Sequence, residues 1–211
     1  MTSSPDFQTL VLHGLRLKGF ADASAIAEAA DLHEADAKPH LDQLVSNGLA
    51  SYRDGRLAGF ALTPVGREEH ARRLRAELDA TGARDAVHGS YKRFLGINGD
   101  LLTICTAWQL REVDGESVIN DHSDPAHDSA VIGQLADLHG KVEPICEDLG
   151  SALVRFTSYG RRLGSALAKV HAGDHDWFTK PMIPSYHTVW FELHEDLLAT
   201  LEIERSSEGG H

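Results

Sequence analysis

Long apolar runs are missing from this chain. No stretch of about eighteen apolar residues occurs, so no segment reads as a membrane-spanning helix. The N-terminus also lacks the basic, apolar and small-residue succession of an export signal, which makes the cytoplasm the expected compartment and a membrane an unexpected partner. Cysteine is scarce. Cys105 and Cys146 stand far apart among apolar neighbours, too few for a disulfide framework, and read as buried thiols in a reducing compartment. Catalytic signatures are absent as well: there is no Gly-rich phosphate loop, no nucleophile elbow and no paired metal-hydrolase motif. The expectation is a protein that is not an enzyme and carries no cofactor. Positive charge is in deficit, with 20 Lys+Arg against 32 Asp+Glu and a net charge of −12.

What is present is most readable between residues 24 and 67. Ala23 to Leu32 is alanine-rich, with Ile26, Ala29, Ala30 and Leu32 on one side, as in a short, closely packed helix that Asp22 or Ser24 can cap. Ala37, Leu41, Leu44 and Val45 then make the apolar stripe of a second helix. Asn47-Gly48 stops it, with Gly48 free to take positive φ. Leu49 to Arg53 reads as a strand, Asp54-Gly55 as a tight turn and Gly59 to Leu62 as the returning strand. Thr63-Pro64 opens another helix, Thr63 as N-cap and Pro64 at its first position, where a missing N–H costs nothing. Pro39 fits the second helix if that helix begins near Asp36 or Ala37.

Helix, turn, helix, two strands and helix is the order of a winged helix-turn-helix. Leu41-Asp42-Gln43-Leu44-Val45-Ser46-Asn47-Gly48-Leu49 and Leu62-Thr63-Pro64-Val65-Gly66-Arg67 resemble the MarR family of winged-helix transcription regulators, over residues 7–80. The resemblance implies a DNA-binding regulator whose second helix enters the major groove and whose wing reaches a neighbouring groove or phosphate. Carried over residue by residue, it places Ala35, Asp36, Lys38, His40, Asp42 and Gln43 on or near the groove-facing surface and Arg53, Asp54 and Arg56 on the wing. Double-stranded DNA and a second copy of the chain are then the expected partners, with Lys38, His40, Gln43, Arg53 and Arg56 as the DNA-binding residues.

Charge is distributed in keeping with this. Residues 1–85 carry 10 Lys+Arg against 13 Asp+Glu, a net of −3, whereas residues 86–211 carry 10 against 19, a net of −9. Even so, the reading helix offers only Lys38 and His40 beside Asp36 and Asp42, so DNA affinity should be modest and strongly salt-dependent.

A boundary is expected where the helical stripe lapses at Asp79 to Arg84, dividing the chain into a DNA-binding domain, residues 1–82, and a helical domain, residues 83–211, for dimerisation or ligand sensing. Beyond it no strands are expected. Tyr91 to Trp108, Ser129 to Leu149, Leu153 to Val170 and Tyr186 to Leu201 carry helical spacing, with a kink expected near Pro144. The fold class is thus mainly α: a winged helix-turn-helix with a two-stranded wing, followed by an all-helical bundle.

Two polar constellations lie in the second part. One is the loop Asn120 to Asp128, dense in carboxylates and imidazoles; the other runs from Ser185 to Glu195. Trp108, Asp121, His122, His187, Trp190 and His194 are the candidate ligand-binding residues for a small-molecule effector, since Trp108 beside a polar loop has the makeup of such a site. No metal ligand set is assigned: His187 and His194 are seven residues apart, about 10 Å along a helix, too far to share one ion. A metal-responsive regulator remains an alternative and requires His122, His139, His187 and His194 to converge with Asp121, Asp124 or Glu192. The other alternative is an adaptor whose winged helix binds protein instead of DNA.

Overall fold

The computed structural model describes residues 6–113 and 115–208, apart from the side chains of Ser207 and Glu208. It is mainly helical, and the described chain divides into two compact units. Of the described residues, one takes in 6–87, Ala152–Phe156 and 192–208; the other lies within His88–Ser151 and Thr157–Phe191. The grouping is therefore not sequential. Two later segments count with the N-terminal part, where the sequence divided the chain once, at 82/83.

In the first unit, α1 (Phe7–Lys18) leads through β1 (Phe20–Ala21) into α2 (Ala23–Ala29) and α3 (Glu34–Ser46), and then to the hairpin of β2 (Ala50–Arg53) and β3 (Gly59–Leu62), followed by α4 (Pro64–Thr81). The caps are those read from the sequence. Asp22 accepts the Ala25 N–H at 2.9 Å at the start of α2, and Thr63 accepts the Gly66 N–H at 3.0 Å at the start of α4. Asn47 caps the end of α3, and Gly48 turns the chain at φ 71°, a left-handed conformation that a side chain would disfavour.

Two details differ from the sequence reading. First, α3 begins at Glu34, so Pro39 lies in its second turn; the carbonyl it leaves without a helical partner belongs to exposed Ala35, which water can reach. Second, the hairpin is not alone: β1 adds to it antiparallel, pairing Phe20 with Ala61, to give a three-stranded sheet of order β1-β3-β2. A two-residue strand is too short to show alternation. The core of this unit is one cluster in which Val11, Leu12 and Leu15 of α1, Ile26 of α2, Leu41 and Leu44 of α3 and Phe60 of β3 meet, all buried.

In the second unit, α5 (Arg84–Gln109), which starts within the first, runs into an antiparallel hairpin of β4 (Leu110–Val113) and β5 (Glu116–Ile119). This hairpin corrects the expectation that the second part is all helical. Its strands expose both faces, so no apolar alternation marks them in the sequence. Then come α6 (Pro125–Ala152), a single 3-10 turn at Val154–Phe156 in the first unit, α7 (Thr157–His171), the short α8 (Asp176–Thr179) and α9 (Tyr186–Leu201).

Helices α5 and α6 lie antiparallel, as their ion pairs Arg93–Asp148 at 2.6 Å and Lys141–Asp100 at 3.0 Å require. Gly164 and Gly160 of α7 face His139 and Cys146 of α6, again in antiparallel order. Phe94 of α5 meets Trp190 of α9 at 4.9 Å between ring centroids. Cys105 and Cys146 are buried free thiols, and burial pushes both up to about 12. Among the described residues no helix is long and apolar enough to cross a membrane.

Candidate functional site

In the first unit, the apolar stripe Ala37, Leu41 and Leu44 turns α3 toward the core, which by the 3.6-residue period sends Asp36, Lys38, Asp42, Gln43 and Ser46 outward; all five are exposed. Asp54 and Arg56 at the hairpin tip are exposed too. Arg53 is exposed but held: its guanidinium lies 4.6 Å over the Phe20 ring and its Nε donates to the Leu57 carbonyl at 3.2 Å. His40 takes another direction. It is half-buried, with its ring edge-on to Phe7 at 6.1 Å, so it packs against α1 while Lys38 and Gln43 stay open. Between α3 and the hairpin runs a cleft of about 630 Å³ whose charged lining is Asp22, Glu34, Lys38 and Asp42. Three carboxylates face one ammonium there.

Behind this surface lies a buried polar chain that sequence reasoning missed. His13 of α1 stacks on His70 of α4, with Nδ1 and Nε2 at 2.9 Å, and its Nε2 lies 2.9 Å from Asp196 Oδ2. Arg155 donates to Asp196, to Thr200 and, at 2.7 Å, to Glu77. Burial and the nearby charges of His13, Arg16 and Arg155 pull His70 down to about 2, so it is neutral in the folded protein. Burial alone would raise Asp196, but the Arg155 guanidinium and His13 hold it well below the usual carboxylate range. Nothing in the local sequence could reveal this chain: its members are up to 187 positions apart, from 13 to 200.

In the second unit, the loop after β5 folds onto the start of α6. Asn120 is its organiser. Its backbone N–H donates to the Gln109 carbonyl at 2.8 Å, and its buried amide donates to the Trp108 carbonyl at 3.1 Å and to Asp128 Oδ1 at 2.8 Å. Its Oδ1 accepts the His122 N–H at 3.1 Å. His122 sits in the left-handed region, φ 60°, and its Nδ1 lies 3.1 Å from Asp128 Oδ2. Asp124 caps α6 through Oδ1, accepting from Ala126 at 3.0 Å and His127 at 3.2 Å. Asp121 is exposed and occupied by Arg111 and Ser123.

Trp108 is buried, with Phe178 stacked on its ring at 4.3 Å, His122 at 4.5 Å and His175 edge-on at 5.1 Å. His122, Asp128 and His175 thereby offer ligand atoms that all lie within 4.8 Å of one another, the one such group of three among the described residues. Burial would raise Asp128, but the Asn120 amide, His122 and the charge of His175 hold it below the usual carboxylate range.

The remaining candidates do not join this group. His139 lies against Tyr186, with Nδ1 and the phenol oxygen at 3.3 Å. His187 is half-buried on α9, where burial lowers its pKa. Trp190 is buried and donates through Nε1 to Asn98 at 2.9 Å, a core anchor. His194 is buried in the first unit. Of the four histidines whose convergence the metal-responsive alternative required, only His122 belongs to the cluster, and its companion His175 was not singled out in the sequence. The signal available was Trp177-Phe178 beside it, an aromatic pair able to seat the turn against Trp108. Comparison of the chain with protein-family models, with curated proteins and with solved structures finds no match.

Proposed function

We propose that this protein is a DNA-binding transcription regulator of the winged helix-turn-helix kind, MarR-like in its first unit, and that it acts as a homodimer whose operator affinity is modulated through the second unit. One observation carries the reading: α3 buries one face on α1 and α2 and presents the other, with Lys38, Asp42 and Gln43, beside an antiparallel hairpin whose tip carries exposed Arg56. A 13-residue helix is about 20 Å long and of a width the major groove admits. Gln43 supplies an amide suited to an adenine edge, while Lys38, Arg53 and Arg56 supply the phosphate contacts. In a two-fold dimer the two copies of α3 would read half-sites about one helical turn apart.

The test is retention of fluorescent fragments from upstream of the protein's own gene, titrated at two salt concentrations with random DNA as competitor. Retention that resists random DNA and weakens with salt is the expected result. Equal loss to random DNA at both salts would sink the reading.

The acid lining of the α3 cleft favours a second reading, an adaptor that docks a basic protein segment there. It predicts that Asp42→Lys strengthens DNA retention if DNA is the partner and leaves it nil if protein is.

A further inference from the structure

We propose that His122, Asp128 and His175 form a binding site for one divalent transition-metal ion, zinc being the species best matched to two imidazoles and a carboxylate. The site is independent of DNA binding and stands or falls with the second unit alone.

Three features carry it. The first is the donor set. Two neutral imidazole nitrogens and one carboxylate make a borderline ligand set that suits zinc and its first-row neighbours and is ill-suited to magnesium or calcium, which take oxygen. The second is distance. Zinc–ligand bonds of about 2.0–2.2 Å in tetrahedral geometry place neighbouring donors about 3.3–3.5 Å apart. His122 Nδ1 and Asp128 Oδ2 are already at 3.1 Å, and the three donors lie within 4.8 Å. The largest closure needed is about 1.5 Å. It falls within reach of His175, which stands at the start of α8.

The third is support behind the donors. Asp128 is buried and fixed by the Asn120 amide at 2.8 Å, and His122 is held by its own backbone bond to Asn120 and by the Trp108 ring. A carboxylate oriented by an amide is the outer shell that metal sites use.

A simple structural role explains only part of this. Helix capping accounts for Asp124, and a His–Asp ion pair would account for His122 with Asp128. Neither needs a second imidazole, yet His175 is brought to the same point. Among the described residues its side chain has ring contacts with Trp108 and His122 but no hydrogen bond or ion pair. An ion between the rings gives that nitrogen a partner. Three protein ligands leave one tetrahedral corner for water or an anion.

The experiment uses the full chain, stripped of metal with a chelator and titrated with zinc chloride in a calorimeter, with cobalt(II) as a spectroscopic substitute. One ion per chain is expected. His175→Ala and Asp128→Asn should each weaken binding at least about 10-fold. His171→Ala, one exposed histidine away, should leave it unchanged. Asp128→Asn keeps the oxygen that accepts from Asn120, and unaltered helical circular dichroism would show both variants folded. Should either fail to fold, cobalt quenching of tryptophan fluorescence still decides, since bound cobalt beside Trp108 should quench the wild type and much less the Trp108→Phe variant. No zinc uptake at micromolar concentration, uptake equal in wild type and both ligand variants, or quenching unaltered by Trp108→Phe would each overturn the proposal.

Discussion

Arg155 is buried with two carboxylates, Glu77 and Asp196, and the Thr200 hydroxyl upon it. Removing one partner from such a group leaves buried charge uncompensated, which costs more than the intact pair contributes. Arg155→Met is therefore expected to destabilise the protein by about 3–5 kcal/mol, read as a fall in urea midpoint without loss of slope. His70 gives a pH prediction. Its folded pKa lies near 2, against 6.5 when unfolded, so between those values the unfolded chain binds more protons. Its contribution is thus present in full above pH 6.5 and lost as pH falls below it, by no more than about 1.4 kcal/mol per pH unit. Urea titrations at pH 7.5 and 5 should show wild type losing stability and His70→Gln losing less. Parallel losses would remove His70 as the titrating group. The two histidines of this pair offered no signal in the sequence, because each lies on a helix whose spacing is explained by its apolar residues.

Elements were more legible than residues, and the reason is local chemistry. Capping needs only side chains within three or four positions, so Asp22, Asn47-Gly48 and Thr63-Pro64 mark boundaries that the structure keeps. The junction at Thr63 also shows what local chemistry hides. Thr63 Oγ1 donates to the Gly48 carbonyl at 2.7 Å, drawing the start of α4 onto the turn after α3, and a Cβ at Gly66 would stand 1.8 Å from the Leu49 carbonyl oxygen. That oxygen is backbone and cannot swing aside. Gly66→Ala should cost at least about 3 kcal/mol, seen in thermal or urea melts, and would loosen the hairpin relative to α3. A near-neutral Gly66→Ala would contradict the packing of α4 here. The hairpin of β4 and β5 escaped notice for the opposite reason: it buries neither face, so burial wrote no pattern into it.

At the scale of the molecule, charge governs how the proposed function would be seen. The net charge of −12 repels phosphate at long range, and the cleft beside α3 adds Asp22, Glu34 and Asp42 against Lys38. Of the cations on α4, Arg72 and Arg73 are engaged by Glu69, and Arg75 by Glu202. Few phosphate contacts remain, so the salt dependence, expected from the sequence to be strong, should be shallower than that, while binding still weakens with salt. Removing Lys38 or Arg56 by alanine should weaken binding at all sequences and lower the salt slope by about 1 per site, whereas Gln43→Ala should relax the choice of sequence. An unchanged slope in Arg56→Ala would take the hairpin tip out of the interface.

By itself the sequence determined the long helices, the caps of α2 and α4, the end of α3, the hairpin after α3 and the outward face of α3, because hydrophobic period and capping act over a few residues. It also placed His122 and Trp108 in one neighbourhood, since a polar loop next to an aromatic helix end is a local fact. Only the tertiary structure decided that His175 completes the group with His122 and Asp128, that His13 meets His70 and Asp196, and that the later part of α9 meets α1. Those meetings join residues as many as 183 positions apart, whose proximity depends on how whole helices pack. No local pattern records it.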